Sequence, residues 1–214
     1  MSVRPAHTIT LHKPVLLFVE GADDKGVLEA LTRWLHLESR IQILLMEGKN
    51  NLRGRLLATR NAEGFAQVRA LGIVLDADED AKRSFQSACD ALRVVGWPVP
   101  QAAAQVVGQA GAVRTGILIL PPQQVAGAIE DVFLHALNDS RLMRCVEDYA
   151  TCAAQTLGKA LEKPGKMRLQ TYLAATAVGK RLGESAGVRD LWDWNHPAFA
   201  PLISFLRELT SVDE

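Results

Sequence analysis

The sequence predicts an α/β fold, with a mostly parallel sheet flanked by helices and a helical C-terminal extension. Three observations carry this. Three short apolar runs recur in the first half of the chain, each of strand length. A segment with apolar residues at helical spacing follows each run. Past Gly96-Trp97-Pro98-Val99-Pro100 the pattern changes, and from Ala126 onward it is mainly helical.

The first run is Pro14-Val15-Leu16-Leu17-Phe18-Val19-Glu20, continuous and apolar until it stops at an acid. A run of this kind before Gly21 reads as a strand buried on both faces. Val27, Leu31, Trp34 and Leu35 then form one helical stripe. Asp23 and Asp24 stand near its N-terminus, where negative charge suits the helix dipole. The second strand is predicted from Ile41 to Met46. A Gly48-Lys49-Asn50-Asn51 turn leads from it into a helix carrying Leu52, Leu56 and Leu57 on one side. The third strand, Leu71-Gly72-Ile73-Val74-Leu75, ends in Asp76, Asp78, Glu79 and Asp80. Phe85, Cys89 and Leu92 mark the helix after it. Alternating strands and helices are the pattern of a parallel sheet covered on its faces. Two more short strands are predicted at Gln105-Val106-Val107 and Gly116-Ile117-Leu118-Ile119-Leu120, the second ended by Pro121-Pro122. Helices are predicted over 126–137, 140–157, 165–177 and 197–210, the last with Phe199, Leu202, Ile203, Leu206 and Leu209 in a stripe. Residues 1–137 read as the α/β domain and 138–214 as the helical extension packed on it.

Composition limits the function classes. The chain is 48% hydrophobic and 22% charged, with 24 basic and 24 acidic residues, as expected of a globule rather than a disordered chain. A zero balance does not point to nucleic acid, but it allows a local basic face beside an acidic pocket. Cys89, Cys145 and Cys152 contain no CxxC pair and are expected to be reduced, mostly buried thiols. Residues 1–13 show no apolar leader run, and no stretch reaches membrane-spanning length. A cytoplasmic location without membrane contact is expected.

In a parallel α/β sheet, ligands gather outside the carboxyl ends of the strands. Two predicted strands end there in acid, Val19-Glu20 and Leu75-Asp76-Ala77-Asp78. If they are neighbours, three carboxylates converge, and their repulsion is ordinarily relieved by a hard divalent cation. An oxygen-only ligand set points to Mg²⁺ or Mn²⁺ rather than zinc. Each acid also has a plainer role open to it: Asp78 as a helix cap, Asp80 as the start of the following helix.

The segments Leu17-Phe18-Val19-Glu20-Gly21-Ala22-Asp23-Asp24 and Gly72-Ile73-Val74-Leu75-Asp76-Ala77-Asp78 resemble the two motifs of Toprim domains. Over most of its length the chain is similar to DUF3226, a family of uncharacterised Toprim-like proteins. The shared pieces are Glu20-Gly21-x-Asp23-Asp24-Lys25, Gly48-Lys49-Asn50-Asn51-Leu52, Asp76-Ala77-Asp78, Ile119-Leu120-Pro121, Gly127-x-Ile129-Glu130-Asp131, and Lys166 ahead of Tyr172-Leu173. This resemblance implies a Toprim/Rossmann-like sheet. It also implies Glu20 as general acid/base or metal ligand and Asp76 and Asp78 as Mg²⁺ ligands. By similarity to the nucleases of the OLD family, Asp24 and Glu130 would complete a second metal position. Two metals would clamp the attacking and leaving oxygens of a phosphodiester displacement. Lys25 and Lys49 are candidates to steady the phosphate charge, and Asp80 is a further candidate ligand in the Asp76-x-Asp78-x-Asp80 pattern.

The expected activity is therefore Mg²⁺-dependent phosphodiester chemistry on nucleic acid, as a nuclease or in nucleotidyl transfer, in a repair or phage-defence setting. Lys49, Arg53 and Arg55, with Arg60 and Arg69, form a basic stretch suited to a phosphate backbone, or simply an exposed helix face. The resemblance also implies an ABC-type ATPase as a separate partner, since the chain has no G-x-x-x-x-G-K-[ST] motif. The oligomeric state is open. One alternative is a Toprim-like module that binds metal or partner without turnover. Another is a HAD-type phosphatase with Asp76 as nucleophile, although Glu79 stands where that motif has Thr or Val. The Trp192 and Trp194 pair could stack on bases, or pack in the core.

Overall fold

The computed structural model describes residues 10–109, 111–122, 126–138 and 140–211. Residues 1–9, which hold most of the segment read above for a leader run, lie outside them. In chain order come β1 (Val15–Val19), α1 (Ala22–Trp34), β2 (Ile41–Leu45), α2 (Leu52–Arg60), β3 (Ala70–Asp76), α3 (Ala81–Val95), β4 (Val106–Val107) and β5 (Arg114–Leu120). Then follow α4 (Ile129–Ala136), α5 (Arg141–Leu157), α6 (Pro164–Thr176), α7 (Leu182–Ser185) and α8 (Ala200–Thr210). The helix expected over 126–137 begins three residues later than read. The one expected over 197–210 is a short 3-10 turn, Pro197–Phe199, running into α8.

The five strands form one sheet in the order β2-β1-β3-β5-β4, parallel except for β4, which runs antiparallel to β5. The fold is thus mixed α/β, with a five-stranded, mostly parallel sheet and eight α-helices among the described residues. Successive strand residues point to opposite faces, so the apolar runs feed two cores. Val15, Leu17 and Val19 enter one with Val74, Leu118 and Leu120, beneath α1, α4, α6 and α8. Leu16 and Phe18 enter the other with Leu71, Ile73, Leu75, Ile117 and Ile119, beneath α2 and α3. Burial on both faces is why these strands read as unbroken apolar runs.

α8 lies directly on the backbone of β3 and β5. A Cβ on Gly72 would come 2.5 Å from a Leu209 methyl carbon, and one on Gly116 would come 2.8 Å from the Phe205 ring. The two glycines leave the space that α8 occupies. Trp192 and Trp194 are buried and meet Phe133 edge-on, at centroid distances of 4.6 and 5.8 Å. They are core residues, with no face free to stack on a base. Cys89 is buried as expected, but Cys145 and Cys152 are exposed on α5, which corrects the reading of mostly buried thiols.

Candidate functional site

Glu20 and the Asp76-x-Asp78 pair leave the sheet side by side. β1 and β3 are adjacent and parallel, with Val19 in register with Val74. From β1 the chain passes to β2 on one side and then crosses back to β3 on the other, so the crevice at the carboxyl ends of β1 and β3 is the kind of switch point where ligands bind such sheets. Beyond β3 the strand geometry breaks. Asp78 takes a φ of 51°, in the left-handed region that Asp enters more readily than most residues, and pairs with Gly127 through two backbone hydrogen bonds of 2.8 Å. That bridge brings Gly127 and the start of α4, with Glu130, beside the end of β3.

Five carboxyl groups act on one another here. Burial pushes Asp76 up to about 8, with Asp24, Glu130 and Glu20 raising it further and the Ile129 N–H opposing. Burial also pushes Asp24 up to about 6, against the Gly21 N–H and together with Glu130 and Glu20. Glu20 is raised by burial and by Asp78, while Lys49 and Lys163 pull it down. Glu130 is buried, and its Oε1 stands 3.8 Å from Lys166 Nζ.

Lys49 sits among these acids. It begins a 3-10 turn, Lys49–Asn51, after Gly48 turns the chain at a φ of 105°, a conformation glycine adopts without strain. Its ammonium donates to the Asp76 carbonyl (2.6 Å), to Asp78 Oδ2 (2.5 Å) and to Ser84 Oγ (3.2 Å), and lies 3.8 Å from Glu20 Oε2. Asp24 Oδ2 accepts from the Gly21 N–H at 2.8 Å, and Asp76 Oδ1 from the Ile129 N–H at 2.9 Å. No three His, Cys, Asp or Glu side chains among the described residues stand close enough to form a ready-made metal cluster.

The residues fit a hard divalent cation in two respects. Every donor is oxygen, the chemistry Mg²⁺ and Mn²⁺ take. Glu20 Oε2 is buried without a hydrogen-bond partner, which costs free energy unless something else supplies one.

Other residues singled out from the sequence are engaged elsewhere. Asp80 lines the cavity but caps α3, its Oδ1 accepting from the Lys82 and Arg83 N–H groups at 2.9 and 3.1 Å. Lys25 pairs with Glu29 one turn along α1, at 3.7 Å. Arg55 is bonded to Glu47, and Arg53 is exposed on α2.

A cavity of about 1310 Å³ opens over Asp76, Asp78 and Glu130, with Glu20 and Asp24 set back from its wall. Its wall includes Lys163 and Lys166 of the α6 N-terminus, and Arg83 of α3. Sequence reading gave Lys163 no role. The available signal was Pro164, a residue favoured at the first helical position, which puts the lysine just before it at the helix mouth. Asp131 was also passed over as a side chain. Its Oδ2 accepts from the Ala128 N–H at 2.8 Å, and it fills the space left by Gly165, where a Cβ would stand 2.6 Å from its Oδ1. It closes the start of α4 against α6.

A family model described as a protein of unknown function, DUF3226, matches residues 14–211. The chain belongs to the DUF3226 family. The match runs from the first residue before β1 to the residue after α8, so the sheet, the acidic crevice and the C-terminal helices of this DUF3226 chain fall within one family unit. No curated protein and no solved structure matches it.

Proposed function

We propose that this DUF3226 chain is a Toprim-type enzyme that carries out Mg²⁺- or Mn²⁺-dependent phosphodiester chemistry on nucleic acid, by hydrolysis or nucleotidyl transfer. The observation that supports it most is that Glu20 and the Asp76-x-Asp78 pair follow two adjacent parallel strands, with Asp24 and Glu130 near enough to hold the Asp76 carboxyl up. These five residues would hold the cation, which supplies Lewis acidity toward a phosphodiester oxygen. Glu20, raised by burial, is suited to taking the proton of the attacking hydroxyl or water. Lys163, Lys166 and Arg83 on the cavity wall provide positive charge where a phosphate would lie.

A purified full-length chain should cleave single- or double-stranded DNA or RNA with Mn²⁺ or Mg²⁺ and not with EDTA. Joint substitution Asp76→Ala and Asp78→Ala should lower the rate by at least about 100-fold, as loss of principal electrostatic groups does. Cleavage by the double variant at the parent rate would overturn the reading.

The Lys49 contacts favour a second reading, a metal- or partner-binding module without turnover, because an ammonium already neutralises part of the acidic crevice. Full Mn²⁺ binding with no cleavage of any of the four nucleic acids would select it.

A further inference from the structure

We propose that Lys49 is a built-in counter-ion that a divalent cation displaces on binding. The inference rests on the cation-site reading above, but it concerns a residue of this chain that can be followed directly.

Four oxygens surround the Lys49 ammonium: the Asp76 carbonyl, Asp78 Oδ2, Ser84 Oγ and, at 3.8 Å, Glu20 Oε2. They come from the ends of β1 and β3 and from α3. This is an all-oxygen cage of the kind a hard cation takes, filled by a side chain. Ser84 has a second bond that fixes the cage, its Oγ donating to the Ala77 carbonyl at 3.2 Å. Removing the ammonium would leave Asp78 and Glu20 facing each other without a cation between them. Glu20 Oε2 is buried, but the Asp78 side chain is 63% exposed, so water screens part of that repulsion. Lys49 therefore offsets part of the negative charge of the metal-free crevice.

An ammonium and a divalent cation repel each other, and the place between Asp78 Oδ2 and Glu20 Oε2 holds only one of them. One must leave. The lysine has the means, since its flexible four-carbon stem is partly exposed, at 22% of the side chain. Its way out is the cavity over the acids, which Lys49 itself lines beside Asn50, Arg83 and Ser87. Displaced there, the ammonium adds to the positive wall that would meet a phosphate. Measured metal affinity in the parent chain thus includes the work of expelling Lys49.

The test is Mn²⁺ titration of the full chain by calorimetry, beside Lys49→Met. Removing the competing charge should tighten Mn²⁺ binding by about tenfold or more. It should also lower the melting temperature of the chelator-treated protein, and Mn²⁺ should restore it. A second measurement needs no variant: acetylation of lysines followed by mass spectrometry, with Mg²⁺ or with EDTA. Lys49 should label faster with Mg²⁺, while exposed Lys180 labels equally in both. Equal or weaker Mn²⁺ binding by Lys49→Met, or Lys49 labelling unchanged by Mg²⁺ in a parent chain that binds the ion, would overturn the proposal and leave the cation site standing. A parent chain that binds neither ion would overturn both.

Discussion

A carboxyl group buried beside other carboxyl groups holds its proton to a higher pH than a free one. Asp76, pushed up to about 8, is mostly protonated at neutral pH in the metal-free chain, and Asp24, at about 6, mostly ionised. Both bind protons more tightly folded than unfolded, where the ordinary value is 3.8. Their contribution to stability is therefore fully present below pH ~4 and is lost as pH rises through about 6 for Asp24 and about 8 for Asp76. In EDTA, the melting temperature should fall between pH 5 and pH 8.5, and Asp76→Asn, which mimics the protonated acid, should flatten that fall. An unchanged slope would refute the burial assigned to Asp76. Cation binding should run the other way, strengthening as pH rises because the ligands must lose protons. Asp80 supplies a contrast at the same scale. As the cap of α3, its replacement by alanine should cost about 1 kcal/mol of stability and leave Mn²⁺ affinity unchanged. Weakened Mn²⁺ binding would return Asp80 to the ligand set.

At the scale of elements, the position of Asp24 depends on a contact between helices distant in sequence. α7 packs on α1 so closely that a Cβ on Gly26 would stand 2.7 Å from the Gly183 backbone. The Gly183 N–H donates to Asp23 Oδ1 at 3.2 Å. In a free helix, Gly26→Ala would gain about 0.5–1 kcal/mol from propensity. Here it forces backbone from backbone, and overpacking costs about 1–3 kcal/mol. The variant should melt lower than the parent chain, and a higher melting temperature would show that α1 and α7 do not meet as described. None of this was legible in the sequence. Gly183 stands in a four-residue helix, too short to leave a periodic pattern. The strands were legible because β1 and β3 are buried on both faces and leave continuous apolar runs. Gly72 and Gly116 stood in view inside the runs of β3 and β5, but only the fold reveals that the bare backbone there receives α8.

On the scale of the whole molecule, strand order does what local sequence cannot. Glu20 and Asp76 are 56 positions apart, and only the β2-β1-β3 order sets them side by side. The sequence named the acids because each follows a strand, and left their meeting conditional on strand adjacency. It did not reveal Lys49's contacts, since a lysine in a turn carries no mark of where its ammonium goes. Nor did it reveal Lys163, which comes to the cavity only because α6 packs against α4.

Anomalous diffraction from crystals of the full chain grown with Mn²⁺ tests the cation site most directly. At least one manganese peak should lie bounded by Glu20, Asp76 and Asp78, with the Lys49 ammonium withdrawn from Asp78. Crystals with manganese bound only elsewhere, and Lys49 still joined to Asp78 and the Asp76 carbonyl, would contradict this placement.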